Sequence, residues 1–399
     1  MASITLFLLF LTFFLFFKTL INFFLDPIIM RICALTTSYP TTNDTTRGIF
    51  IYRLFHTLQQ QGHQVTFVCP GGFSSLTGGA GIFSNLQHSW SARFLFIPYV
   101  LVFFFHILHK APRHDIIHAN WSLTAFLALL AKPIHHKKII LTERSSHLIQ
   151  LHNPFLKFFI RFTYTHVDCL VVLSKTAQHQ LSSNYHTPLS ASFVVPNGVD
   201  VPRISSKISL RRTLHLPQKT ILLAVGRLTR DKNFDTLLQA LHHIHTSSTS
   251  YHLVLVGDGE DKQRLQDLAN THRLRSFVTF TGKISHEQVY SYMAASDIFV
   301  QTSLKDSGGN VILESMAHGL ALLSTPVGWA KDYLVAGKNG LFFTPRDAID
   351  LSKCLILLLK KPRLLHTLGR AARQTILHEH LTWKNCSQRY LQLYHEALS

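Results

Sequence analysis

From residue 31 onward, two hydrophobic patterns alternate along the chain. Short apolar, β-branched runs read as buried strands: Ile32–Thr36, Val65–Cys69, Ile116-Ile117-His118, Lys138–Thr142 and Cys169–Leu173. Between them lie segments with apolar residues at helical spacing. Gly48 to Gln61, for example, carries Ile49, Leu54, Phe55 and Leu58 and closes at Gly62, a glycine stop. Ser192–Val195 leads into the turn signal Pro196-Asn197-Gly198-Val199-Asp200. A polar, basic stretch with Pro202 and Pro217 follows, and the pattern then restarts. Thr220–Val225, Leu253–Val256, Phe277–Thr281, Ile298–Thr302 and Ala321–Thr325 read as strands, with helices at Phe234–Ile244, Glu260–Asn270 and Glu287–Ala295.

Strand–helix alternation twice over predicts an α/β protein with two doubly wound parallel sheets facing one another. The expected division is 30–203, a linker at 204–219, 220–380, and a C-terminal amphipathic helix in 381–399. Ligands in such folds bind beyond the carboxyl ends of the strands, so the loops after Val225, Val256, Thr281 and Thr302 are expected to converge on one cleft.

Two stretches interrupt this picture. Residues 1–29 are oily from Ile4 to Phe17, broken by Lys18 and resumed through Leu25. They read either as a single-span membrane anchor or as an over-called start ahead of Met30. The lack of a basic n-region and of a small-residue exit argues against a signal peptide. Phe94–Leu108 is also apolar but contains Pro98 and His106, and reads as a buried helix.

Charge narrows the partners. The formal net charge is +18, with 14 Lys/Arg against 5 Asp/Glu in 31–205 and 24 against 15 in 206–399. A basic surface spread over both halves favours phosphorylated small molecules or anionic lipid; with no basic run interleaved with aromatics, nucleic acid is not expected. The five cysteines are scattered without C-x-x-C or zinc spacing, as for buried thiols in a reducing compartment, and no metal site is expected. No G-x-G-x-x-G follows the first strand of either half, and no Walker A motif or G-x-S-x-G elbow occurs.

The chemistry concentrates in Lys305-Asp-Ser-Gly-Gly-Asn-Val-Ile-Leu-Glu314. Gly308, Gly309 and Asn310 open a helix, where exposed N–H groups and the helix dipole bind phosphate. Asp306 sits outside that mouth and Glu314 about one turn inside. A diphosphate on the amides would leave each carboxylate near the hydroxyls of one attached sugar.

Asp306–Glu314 resembles the E-x7-E motif of the retaining glycosyltransferases of family 4, which have the GT-B fold. The resemblance runs through Arg47-Gly48, Gly62-His-Gln-Val65, Asp115-Ile-Ile-His118, Pro196-Asn-Gly-Val-Asp200, Gly226-Arg227, Lys232 and Val256-Gly-Asp-Gly259. It continues through Gly282-Lys283-Ile284, Thr325-Pro-Val-Gly328 and Asn339-Gly340. It implies two Rossmann-like domains with a cleft between them, the first binding the acceptor and the second a nucleotide-diphospho-sugar, with no metal or other cofactor. By the same resemblance, Arg227 and Lys232 neutralise the departing diphosphate, Glu314 holds the ribose and Asp306 the transferred sugar. Gly48, Gly226, Lys283, Ile284, Gly308, Gly309, Asn310 and Val311 surround the donor, and His118 stands at the cleft.

The chain departs from the family pattern in having Asp306 where Glu is usual, Asn120 in place of a second His, and Trp329 where a small residue is frequent. The basic-aromatic run Phe155–Phe162 reads either as an interfacial helix on an anionic membrane or as a partly buried core helix; the first reading, with the N-terminal segment and the charge, points to a lipid-linked or cell-envelope glycan acceptor at the cytoplasmic face of the membrane. The alternatives are a membrane-anchored, catalytically inactive binding protein of the same fold and a soluble polysaccharide synthase.

Overall fold

The computed structural model describes residues 29–40, 47–77, 82, 85–86, 89–144, 153–186, 188–203, 206–245, 250–306 and 309–399. Residues 1–28 of the oily N-terminal stretch and Gly308 lie outside them.

The first sheet is built from β1 (Arg31–Leu35), β2 (Gln64–Val68), β3 (Ile116–Asn120), β4 (Lys138–Glu143), β5 (Cys169–Val172) and β6 (Ser192–Val194), in the order β2-β1-β3-β4-β5-β6. The second comprises β7 (Thr220–Val225), β8 (Tyr251–Val256), β9 (Val278–Gly282), β10 (Ile298–Gln301), β11 (Ala321–Ser324) and β12 (Leu341–Phe342), in the order β12-β11-β10-β7-β8-β9. Every pairing is parallel. Buried on both faces, the central strands are apolar at successive positions instead of alternating. Strand order reverses between β1 and β3 in one sheet and between β7 and β10 in the other, and these switch points are where crevices form.

Helices cover both faces. On one side of the first sheet lies α1 (Ile49–Gln60), which buries Ile51, Leu54, Phe55 and Leu58. Its Gly48 cap has φ +61°, and a Cβ there would meet the Ser38 carbonyl oxygen at 2.4 Å. On the other side are α2 (Trp90–Lys110), α3 (Ser122–His135), α4 (Pro154–His166) and α5 (Lys175–Tyr185). The second sheet carries α6 (Lys207–Thr213), α7 (Phe234–His245), α8 (Lys262–Thr271), α9 (His286–Ala295), α10 (Asn310–Ala317), α11 (Gly328–Tyr333), α12 (Ala348–Lys360) and α13 (Pro362–His378). Helix α6 falls within the expected linker. Its Lys207 and Arg211 pair with Asp297 at 2.9 and 2.5 Å, which fastens this connection to the second domain.

The chain returns to the first domain through α14 (Trp383–Leu398), whose Trp383, Cys386, Tyr390, Leu393 and Tyr394 join the core formed by Met30, Ile32 and α1. The two domain crossings touch. Val199 donates its N–H to the Leu381 carbonyl at 2.9 Å, and Gly198 lies so close that a Cβ would come within 2.4 Å of the Trp383 Cα.

Helix α2 departs from the buried reading of Phe94–Leu108. Tyr99, Phe103 and Ile107 are buried, but Phe94, Ile97, Leu101 and Phe105 are exposed. All five cysteines are free, with Cys33, Cys169 and Cys386 buried. Burial pushes each of those three thiols up to about 12, which keeps them protonated and unreactive.

Candidate active site

The second switch point assembles most of the residues singled out from the sequence. Gly226 and Arg227 follow β7, Lys232 ends a 3-10 turn (Arg230–Lys232) in the same loop, and Asp306 and Gly309 follow β10. The loops are packed backbone to backbone: a Cβ on Gly257 (φ +140°) would lie 1.8 Å from the Gly226 carbonyl oxygen. Only glycine fits there, which gives the Val256-Gly-Asp-Gly segment a physical reason.

Lys232 Nζ lies 3.7 Å from Asp306 Oδ2, and Gln301 donates to the same oxygen at 3.0 Å. Thr302 donates from Oγ1 to the Lys232 carbonyl at 2.7 Å, tying the two loops together. Asp306 is wedged between two glycines: a Cβ on Gly309 would meet Asp306 Oδ2 at 2.7 Å, and one on Gly328 would meet the Asp306 carbonyl oxygen at 2.9 Å. The Arg227 side chain is exposed and makes no hydrogen bond or ion pair among the described residues, while its carbonyl accepts from the Thr229 N–H at 3.0 Å. Lys283 is exposed just beyond β9, while Ile284 and Val311 pack partly buried against the second domain's core.

Glu314 is 3% exposed, one turn into α10. Its Oε1 accepts from His286 Nε2 at 2.9 Å and from the Tyr290 hydroxyl at 3.2 Å, both on α9. Burial and the Glu314 carboxylate push the Tyr290 hydroxyl well above the usual phenol range, so it stays a donor. Across the cleft, the Phe50 ring on α1 meets the His286 ring edge-on at 6.4 Å, bringing the Gly48 end of α1 to the second domain. Arg53 on α1 donates to Asp200 at 2.5 Å.

Sequence reasoning missed a polar chain that links the domains. Arg144, just after β4, donates from Nε to Asn120 Oδ1 at 2.9 Å and from Nη1 to Asn197 Oδ1 at 2.7 Å. Asn197 in turn donates to Asn310 Oδ1 at 2.8 Å. Arg144 Nη2 and Asn310 Nδ2 are buried without a hydrogen-bond partner among the described residues. Two orphaned donors beside a helix N-terminus are suited to a bound acceptor-rich group. The signal available in the sequence was a charged pair, Glu143-Arg144, at the carboxyl end of a buried parallel strand. Trp329 also crosses between domains: its indole Nε1 donates to the Leu173 carbonyl at 2.8 Å, and Asp332 accepts from the Thr176 hydroxyl at 2.6 Å.

His118 is not in the cleft. It is fully buried on β3, with Nδ1 2.5 Å from the Tyr394 hydroxyl and Nε2 2.8 Å from Thr142 Oγ1. Both nitrogens are occupied and the ring packs on Phe55 and Tyr390. Burial holds the imidazole well below its usual value, so it is a neutral core residue that anchors α14. Among the described residues no group of three or more His, Cys, Asp or Glu is arranged to hold a metal ion.

Comparisons with known proteins agree with this fold. Residues 206–375 match the profile of the glycosyl transferases group 1, and residues 48–203 match that of glycosyltransferase family 4. The chain is 26% identical over 385 residues to N-acetyl-alpha-D-glucosaminyl L-malate synthase of Bacillus anthracis, covering 91% of this chain and 96% of that protein. It is 23% identical over 298 residues to the phosphatidylinositol N-acetylglucosaminyltransferase GPI3 subunit of Saccharomyces cerevisiae, covering 71% of this chain and 65% of that one. Anabaena HepE, crystallised in complex with UDP, superposes with a TM-score of 0.73 at 16% identity, covering 92% of this chain and 100% of that one, and shows the same fold.

Proposed function

This chain belongs to the glycosyltransferases of group 1 and family 4, with the GT-B fold, and from that premise we propose a retaining, metal-independent transfer of a sugar from a nucleotide-diphospho-sugar to the hydroxyl of a lipid-linked or cell-envelope glycan at the inner face of the cell membrane. The observation that carries this reading is the charge arrangement at the second switch point. There, Lys232 lies 3.7 Å from Asp306, which packs against Gly309 at the N-terminus of α10, Arg227 is exposed in the same loop as Lys232, and the buried Glu314 stands one turn into the helix.

In this reading the diphosphate lies on the backbone amides of Gly309, Asn310 and Val311 and accepts hydrogen bonds there. Its arrival competes with Asp306 for Lys232, freeing the ammonium to balance the leaving group. Glu314, held in orientation by His286 and Tyr290, accepts from the ribose hydroxyls. Asp306 accepts from the transferred sugar. Gly226 leaves room for the nucleotide, Lys283 and Ile284 flank the base, and Gly48 brings the α1 end of the first domain against the donor.

As the bond to the anomeric carbon breaks, negative charge grows on the diphosphate. Groups already aimed at that charge stabilise it without reorganising. The acceptor hydroxyl attacks the oxocarbenium-like centre on the face the nucleotide leaves, its proton passing to the departing diphosphate. Closure of the domains keeps water from competing. The lipid acceptor accords with the name of one relative, a phosphatidylinositol N-acetylglucosaminyltransferase subunit, while the malate synthase relative is named for a sugar on a small acid, which the soluble acceptors in the transfer assay cover.

The test is a transfer assay with UDP-, GDP- and ADP-sugars against membrane-extracted and soluble acceptors, with the product anomer read by NMR and activity measured in EDTA. An inverted product, or activity lost to the chelator and restored by a metal, overturns the mechanism. The absence of both transfer and donor hydrolysis with every nucleotide sugar favours a catalytically silent binding protein.

A further inference from the structure

Helix α2 exposes a continuous apolar stripe. Trp90, Phe94, Ile97, Leu101 and Phe105 are 83%, 81%, 67%, 50% and 63% exposed. At 100° per residue these positions fall within about 80° of arc, on the side opposite the buried Tyr99 and Phe103. The stripe is not isolated. Helix α3, which packs between α2 and α4, exposes Leu130 and Ile134, and α4 exposes Phe155 and Phe158. Scattered apolar side chains are ordinary on a surface, but contiguous ones on three adjacent helices mark an interaction face.

The charges around this face have one sign. Helices α2, α3 and α4 contain Arg93, Lys110, Lys132, Lys157 and Arg161 and no Asp or Glu. Asp168, the nearest acid after α4, is already paired with Lys132 and Lys138. In a βα unit the helix starts at the carboxyl end of the preceding strand. The first turns of α2 and α4, with Trp90, Phe94, Phe155 and Phe158, are therefore on the side of the sheet where the cleft opens.

We infer that the outer faces of α2, α3 and α4 are a docking surface for an anionic lipid bilayer, with the aromatic first turns of α2 and α4 entering the headgroup region beside the cleft. Large apolar residues at the crest, basic residues around them and no acids are the complement of an anionic membrane surface. Although α2 is long and apolar enough to cross a membrane, it packs along the sheet and so lies on the bilayer. Helix–sheet packing holds the stripe in place, so the surface exists before the membrane is met. The inference deepens the proposed function and rests on it only for the acceptor: a docked face of this kind presents a lipid-borne hydroxyl to the cleft.

The experiment is sedimentation of the full chain with vesicles of phosphatidylglycerol and phosphatidylcholine against pure phosphatidylcholine, with Phe94→Glu/Ile97→Glu and, as a control in the second domain, Ile349→Glu. Wild type and the control are expected to bind anionic vesicles, less so at high salt, and the double variant to lose about tenfold or more of that partition. A readout that needs no charged variant is Trp90 emission. It should shift blue on anionic vesicles and be quenched by brominated lipid, and Trp90→Phe should abolish the shift. Equal partition of wild type and double variant overturns the inference, as does binding lost entirely on removal of residues 1–28. A concentration-dependent dimer that the double variant dissolves assigns the face to a second copy instead. Hydrolysis of a nucleotide sugar in the absence of vesicles tests the catalytic reading separately, so failure of one does not mimic failure of the other.

Discussion

Asn197 donates a hydrogen bond to Asn310 at 2.8 Å, joining the segment where the chain leaves the first domain to the first residue of helix α10. Arg144 holds the other side of Asn197 at 2.7 Å. Asn197→Ala leaves a buried carboxamide oxygen and a guanidinium nitrogen without partners, at a cost of about 1–3 kcal/mol. The expected outcome is a lower unfolding midpoint together with a fall in kcat, because the orientation of the helix mouth changes. Denaturant unfolding and steady-state kinetics on one preparation check both.

Arg227 and Glu314 are expected to fail in different ways. The Arg227 side chain is exposed and unengaged among the described residues, so Arg227→Ala should leave stability within about 0.5 kcal/mol of wild type. Transfer should nevertheless fall by about 10²–10³, the loss typical when a group facing developing charge is removed. Glu314→Gln keeps the shape but removes the charge paired with His286, and should raise KM for the donor more than it lowers kcat. Wild-type kinetics in either variant refutes its assignment.

Two glycines separate crowding from backbone strain. Gly198→Ala would place a Cβ 2.4 Å from the Trp383 Cα, where the two crossings between domains meet, so backbone must move. Gly62→Ala meets nothing within 4 Å but must hold φ +94°. The second should cost about 1–2 kcal/mol, and the first clearly more, with a loss of activity that the second lacks. Thermal melts and transfer rates on the pair decide.

His118 predicts a pH dependence. Burial keeps its imidazole neutral in the fold, whereas in the unfolded chain it protonates near its ordinary value of about 6.5. Its contribution is complete above that value and is lost as pH falls from there toward the depressed folded value, by up to about 1.4 kcal/mol per pH unit. His63, His135, His252, His272 and His318 are lowered by burial as well, so the share of His118 is read by difference. His118→Gln should be less stable than wild type at pH 8 and should show a shallower decline between pH 6.5 and 5 in urea titrations.

Much of the architecture was legible in the sequence because parallel strands buried on both faces leave unbroken apolar runs. Thr220–Val225 is a strand in both readings, and Gly62 ends α1 as its position predicts. The donor-side loops were legible for a related reason: glycines such as Gly257 and Gly259 sit where neighbouring backbone excludes any Cβ, and such sites leave a mark on composition.

What was hidden depended on partners distant in the chain. His118 could not be told from a cleft residue because what buries it is Tyr394, 276 positions away. His286, Tyr290 and Arg144 carry no motif, and they become site residues only when α9 and β4 are brought against α10 and the Asn197 turn. The exposed side of α2 was concealed for the opposite reason. A helix apolar all round offers no polar contrast to say which side faces the sheet.

The chain's tryptophans include two near opposite extremes of exposure, Trp90 at 83% and Trp329 at 1%. The indole of Trp329 is clamped to the carbonyl of Leu173 across the domain boundary. Any motion that parts the lobes must break that clamp and wet the ring, whereas settling onto lipid must dry the other. The molecule thus carries two built-in optical probes of opposite sign, a red shift for opening and a blue shift for landing, and variants that retain one of these indoles at a time can follow its working cycle without an attached dye.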